Sequence, residues 1–201
     1  TGYKWISSIS YSNKVFSARM DGYLQWISGY IYDEPKKETI TVISGVYPVF
    51  QYKQTPAFFR GMDFDFHFMP INSWDYHLIA SFIRANEQTT GNYLPYIPSS
   101  RFSHDLSWLH ETKSHSKLRL SIRHRFVAKQ TRFDPDTDLI PYTPPAYHLF
   151  GADVDLECPV RCGHILRFMI SADNILNKEY KEYTNLSLIH ISEPTRPLYI
   201  S

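Results

Sequence analysis

The chain has 201 residues and a formal net charge of +1, from 21 basic and 20 acidic side chains. Proteins that grip nucleic acid carry a clustered basic excess, so this balance excludes that class of partner. No run of about 18 apolar residues occurs, which excludes a transmembrane helix but not a transmembrane barrel, whose strands alternate apolar and polar positions. Aromatic content is the informative number: 15 Tyr, 13 Phe and 4 Trp make up 16% of the chain, with only 8 Gly, so this is no low-complexity tract.

Period-2 alternation dominates, and helical period is nearly absent. Tyr3–Tyr11 and Ala18–Tyr32 are the least regular of eight predicted strands. Phe58–Phe68 sets Met62, Phe64, Phe66 and Phe68 against Gly61, Asp63, Asp65 and His67. Trp74–Phe82 sets Trp74, Tyr76, Leu78, Ala80 and Phe82 against Asp75, His77 and Ser81. In Arg101–Trp108, Phe102, Leu106 and Trp108 oppose Arg101, Ser103 and Asp105. Lys117–Ala128 (KLRLSIRHRFVA) sorts Leu118, Leu120, Ile122 and Phe126 from Arg119, Ser121, Arg123 and Arg125, with His124 among the apolar set. A helix would scatter those arginines around its circumference. Tyr147–Leu156 and Ile165–Ala172 repeat the pattern, with Phe150, Val154, Leu166, Phe168 and Ile170 opposing Asp153, Asp155, Arg167 and Ser171.

Connection lengths alternate. Short turns are predicted near Ser12–Ser17, Pro70–Ser73, Thr112–Ser116 and Pro159–Gly163, and long connections at Asp33–Thr55, Glu87–Ser100 and Thr131–Pro145. A soluble sandwich has no reason to put every long loop at one end, whereas outer-membrane barrels keep short turns inside and long loops outside. Strands of roughly 9–13 residues also suit a tilted membrane span. Mid-strand charges are compatible with a lumen or with water. Trp74, Tyr76, Trp108, Phe102, Phe66 and Phe68, toward strand ends on the apolar face, match interfacial girdles. The expected fold is all-β: a partial antiparallel transmembrane barrel of about eight strands, occupying residues 1–185. The alternative is a soluble extracellular β-sandwich that binds a ligand such as a glycan.

Four segments carry a family resemblance. Tyr47–Gly61 (YPVFQYKQTPAFFRG), Asn92–Phe102 (NYLPYIPSSRF), Thr143–Tyr147 (TPPAY) and Ser171–Tyr180 (SADNILNKEY) together resemble, in order, landmarks of TonB-dependent outer-membrane receptors. Departures are Met62-Asp63 after the first landmark and Ile175-Leu176 in place of the usual Leu-Phe. The resemblance implies a barrel of about 22 strands with a plugged lumen in the bacterial outer membrane. It implies uptake of a scarce ligand such as an iron–siderophore, haem or cobalamin, driven through TonB by a plug region N-terminal to the barrel. It implies no enzyme, and a further strand after the last landmark.

If the chain is such a receptor, ligand contact falls to external loops. Tyr93, Tyr96, Arg132, Phe133 and Tyr142 are the candidates, because aromatics and Arg offer stacking and charge to a bulky chelate. The bland reading has them packing loops together. No cofactor and no metal site is expected: the nine His lack metal-site spacing, and the Cys158–Cys162–His164 string lacks a fourth zinc ligand. The two cysteines form either a local disulfide or free thiols. Asp134, Asp136 and Asp138 form an Asp-x-Asp-x-Asp run without the Gly and distal Glu of a calcium loop. No Ser-His-Asp set appears.

The N-terminus is expected to be incomplete and the C-terminal tail non-native. The chain begins at Thr1 without Met or a leader, which implies a missing N-terminus. Residues 186–196 read LSLIHISEPTR, the translation of a transposase library adapter, so residues 186–201 are expected to be adapter read-through.

Overall fold

The computed structural model describes residues 1–134, 143–160 and 164–184, and of Lys37 the backbone. Eight antiparallel strands follow one another in a single sheet whose order is the chain order: β1 (Gly2–Ser12), β2 (Phe16–Val42), β3 (Gly45–Ile71), β4 (Trp74–Glu87), β5 (Arg101–Glu111), β6 (Lys117–Val127), β7 (Tyr147–Pro159) and β8 (Ile165–Ala172). The sheet is not closed. A sandwich needs two facing sheets, so the soluble alternative fails on topology. No helix among the described residues is long and apolar enough to cross a membrane.

Side chains alternate faces along each strand, and the register keeps each class in its own rows. One row reads Phe16, Phe68, Tyr76, Leu106, Ile122 and Ala152 across β2 to β7. The row beside it on the other face reads Ser17, His67, His77, Asp105, Arg123 and Gly151. Trp74 and Trp108 lie directly opposite one another at the short-turn end. At the other end Trp26 stacks on Phe58 with centroids 4.9 Å apart. These two aromatic levels mark the limits of the apolar band.

A cluster of polar rings interrupts the band. His104, His124 and His148 stack across β5, β6 and β7 with centroids 5.3 and 5.2 Å apart. Tyr76 Oη and His104 Nδ1 share a hydrogen bond of 2.7 Å, and His124 Nε2 and His148 Nδ1 one of 2.9 Å. Polar groups facing lipid need such partners, because no water replaces them there.

Local chemistry shapes the turns. Asn13 Oδ1 accepts from the amides of Val15 and Phe16, each at 2.8 Å, closing the β1–β2 turn. The β5–β6 turn places His115 at φ 62° between Thr112 and Ser116. After β8, Asn174 Oδ1 accepts from the Lys178 amide at 2.9 Å and its Nδ2 donates to the Lys178 carbonyl at 3.0 Å. Asn174 and Asn177 both take positive φ, which Asn tolerates better than bulkier residues.

The predicted long connection at Asp33–Thr55 is corrected. There β2 and β3 continue as a two-stranded ribbon, paired from Tyr30–Thr55 to Val42–Gly45. Only Ile43 and Ser44 separate the strands, and Gly45 supplies φ 142°. β1 reaches only Ile27, and β4 only Ala57. Both ribbon edges are therefore free of a third strand. Pro35 and Pro48 cost little at such edges, and Pro35 also borders a register shift.

Candidate functional site

The face opposite the apolar band carries the charges. Arg123 Nε and Nη2 donate to the two oxygens of Asp153 at 2.6 and 2.9 Å, and its Nη1 donates to Asp173 at 2.9 Å. Arg167 forks onto Asp155. His67 pairs with Asp75, and His77 with Asp65 at 3.1 Å. Ser8 and Ser81 donate to Asp21 and Asp63 at 2.5 and 2.7 Å. These groups lie in one polar wall because the register aligns them, and bidentate geometry favours the Arg–Asp forks. Residues 173–184 turn back across this wall. Asp173 meets Arg123, and the Tyr180 ring lies 4.8 Å from that of Tyr147. A cleft of about 470 Å³ opens there, lined by Ser103, Asp105, Arg123, Arg125, Asn174 and Tyr180 among others.

Above the Trp26–Phe58 level the two remaining external loops fold inward. Leu94 is 1% exposed and packs with Tyr32, Ala57, Ala85 and Ile97, flanked by Tyr30, Phe59 and Ile83. Burying a Leu contributes about 2 kcal/mol. The loop that holds it is tied down by Glu87, at the external end of β4. Its carboxylate accepts from Thr55 Oγ1 at 2.5 Å, Thr90 Oγ1 at 2.8 Å and Thr89 Oγ1 at 3.2 Å, with Lys53 Nζ at 3.9 Å. The Thr55 bond above all holds this carboxyl below its ordinary range, against the opposing effect of burial. The loop's backbone adds bonds from the Glu87 amide to the Asn92 carbonyl and from the Leu94 amide to the Ala85 carbonyl, at 2.9 and 3.1 Å.

The second loop docks on the first. Gln130 Nε2 donates to the Ile97 carbonyl at 2.7 Å, and Asn92 Nδ2 donates to Asp134 at 2.8 Å. Of the sequence-derived candidates, Tyr93 and Arg132 come together on these loops, close enough to interact electrostatically. Tyr93 is 37% exposed. Arg132 is half-buried, and Nη1 reaches the Ile83 carbonyl at 3.5 Å. Burial first, then Arg84 and Arg60, lower its hold on its proton, and Tyr93 opposes them. Phe133 lies beside Lys129, Gln130, Thr131 and Thr143 at the rim. Tyr96 sits in the first loop at φ 61°.

Tyr142, Asp136, Asp138, Cys162 and residues 186–201 lie outside the described residues, and with them the cysteine pairing and the tail. Cys158 is half-buried, opposite Leu166. No group of three or more metal-ligating side chains forms among the described residues. The sequence reading missed the Glu87–Thr55–Lys53 knot and the return of residues 173–184. The Asn174–Asn177 spacing was the available signal for the second.

Comparison with known proteins supplies the family. The model "TonB dependent receptor-like, beta-barrel" matches residues 1–175. No curated protein sequence matches the chain. Among solved structures, the copper transporter OprC superposes with TM-score 0.74 at 16% identity, over 92% of this chain and 26% of that one. BauA, the ferric preacinetobactin receptor of Acinetobacter baumannii, superposes with TM-score 0.66 at 16% identity, over 89% of this chain and 26% of that one. The chain thus spans about a quarter of each of these proteins. A family match over most of the chain, on a sheet with an apolar face and a charged one, settles the assignment. The chain belongs to the TonB-dependent receptors, outer-membrane β-barrel transporters rather than enzymes, and its strands form part of that barrel's wall.

Proposed function

We propose that this wall serves a receptor that captures a scarce chelated ligand at its external mouth and passes it inward, driven by TonB through a plug region elsewhere in the receptor. The ligand class is an iron–siderophore, haem or cobalamin. The observation that carries the reading is the inward-folded pair of loops, on which Arg132 reaches the Ile83 carbonyl within electrostatic range of Tyr93. A ring for stacking beside a guanidinium suits an anionic, aromatic-rich chelate. Tyr96, Phe133 and Tyr142 complete the set of proposed ligand contacts. The barrel unit is residues 1–185, and residues 186–201 are adapter read-through.

The test is uptake by cells whose only receptor of this class carries the chain. With labelled ferric siderophores, haem and cobalamin supplied in turn, one should accumulate only when TonB is present. Tyr93→Ala with Arg132→Gln should cut its binding about tenfold or more while surface expression holds. Uptake of all three at background level would overturn the ligand class. Sequencing the source gene across the Asn185 codon decides the tail.

A further inference from the structure

The outward face yields a second site. By register, its described strand positions from Tyr3 to Ala172, within the two aromatic levels, carry no Asp, Glu or Lys. They carry two arginines, Arg60 on β3 and Arg84 on β4, and these are direct cross-strand partners. Both are exposed. Among the described residues neither forms an ion pair, and the one contact of note is the Arg60 guanidinium over the Phe58 ring, 5.8 Å from its centroid. Like charges directly opposite one another in a sheet repel. Two of them side by side, on a face otherwise free of formal charge, call for an anion between them.

Their height identifies the anion's source. Arg84 lies ten residues along β4 from Trp74, which marks the short-turn level. At about 3.3 Å per residue and the usual tilt of 35–45°, that is about 25 Å along the membrane normal. This equals the height of a barrel's apolar band, so the pair sits at the headgroup level of the outer leaflet. Leu24, Met62 and Phe82 flank it on the bilayer side, and the Trp26–Phe58 stack lies just beyond. Acyl chains can thus lie along the first group while a headgroup meets the guanidiniums. Arg forks match phosphate oxygens bidentately.

We infer that Arg60 and Arg84 form a lipid site that grips a phosphate on an outer-leaflet lipid. The inference rests on the outward face meeting the bilayer, and it is independent of which ligand the receptor imports. Arg132, in the loop above, lies close enough to feel both charges.

The experiment uses the receptor that carries this chain, extracted from outer membranes and placed in phosphatidylcholine nanodiscs. The probes are 5 mol% bisphosphorylated lipid A, the same lipid dephosphorylated, and inorganic phosphate. Native mass spectrometry counts retained lipid, and heat-modifiable migration confirms the fold. The wild type should retain the phosphorylated lipid about tenfold better than Arg60→Gln/Arg84→Gln, with each single variant in between. Arg101→Gln, which removes a lumen-face cation near the same end, should bind as wild type. Arg60→Lys/Arg84→Lys should recover part of the binding if the double Gln variant folds poorly. Equal retention by the folded Gln double variant, or by the dephosphorylated lipid, overturns the proposal. Full displacement by millimolar inorganic phosphate overturns it too, because the site would then take a free anion.

Discussion

The two faces of this sheet are built from the same strands and follow opposite rules. On the outward face polar groups are rare, and apart from the Arg60–Arg84 pair the polar rings there bond sideways, as Tyr76 with His104 and His124 with His148 do. On the inward face charge is plentiful and nearly every carboxylate described has a cationic or hydroxyl neighbour. The difference teaches that a residue's environment here is set by parity along the strand more than by its neighbours in sequence. Ser121 and Ile122 are adjacent, yet one faces Asp153 and the other the bilayer.

That contrast can be broken most sharply at those two residues. Ile122 faces the bilayer one row inside the Trp74–Trp108 level and is 59% exposed. Ile122→Arg should destabilise the barrel by about 1–3 kcal/mol, because the cost of a lipid-facing Arg falls from about 2–4 kcal/mol at the bilayer centre toward the interfaces. Ser121→Arg should cost under about 1 kcal/mol, because the new guanidinium meets Asp153 across the pair. Denaturant unfolding of the receptor in vesicles reads both. Equal losses would mean that the faces have been assigned wrongly.

A smaller effect sharpens the inward face. A Cβ on Gly61 would come within 2.2 Å of the Tyr23 ring and 2.7 Å of the Phe82 carbonyl. The ring lies flat on the strand because that position has no side chain. Gly61→Val should cost about 1–3 kcal/mol through overpacking, and Tyr23→Ala in the same protein should recover only the part due to the ring, since the Phe82 carbonyl is backbone. The Arg123–Asp153 fork comes next. It is part-exposed, at 37% and 26% for the two side chains, so screening limits its worth. A double-mutant cycle with Arg123→Gln and Asp153→Asn should give a coupling of about 1 kcal/mol. No measurable coupling would reduce the polar wall to a set of independently solvated charges.

The same contrast explains what the sequence disclosed. Strands β3 to β8 were legible below the Trp26–Phe58 level because lipid on one side and a polar wall on the other impose a period of two. Above that level both faces are wet, so the rule lapses. Tyr52 is 84% exposed there, and the charged stretch around Asp33 and Glu34 read as loop although it pairs as ribbon. Tyr93 and Arg132 could be picked by residue type, but their meeting depends on two loops docking. Glu87 and Thr55 join only once β3 and β4 are in register, which no local pattern announces.

The smallest expected effect concerns that last pair and acidity. Glu87 binds three hydroxyls and approaches Lys53 only when ionised. A carboxyl whose folded value is depressed stabilises the fold fully above its unfolded value, about 4.3 for Glu. That contribution is lost as pH falls through the lower folded value. Hydrogen-exchange protection at Gln88–Leu94, taken relative to the intrinsic amide rate at each pH, should therefore hold from neutral pH down to about 4.5 and fall in more acid solution. Glu87→Gln should remove the acid-dependent step and leave the loop about as open at pH 7 as the wild type is in acid. The inward face below the aromatic level has its own carboxylates, so the comparison is made loop against wall. If Ser121 and Arg123 amides open at the same pH as the loop, the transition belongs to the whole sheet, and Glu87 is not its local latch.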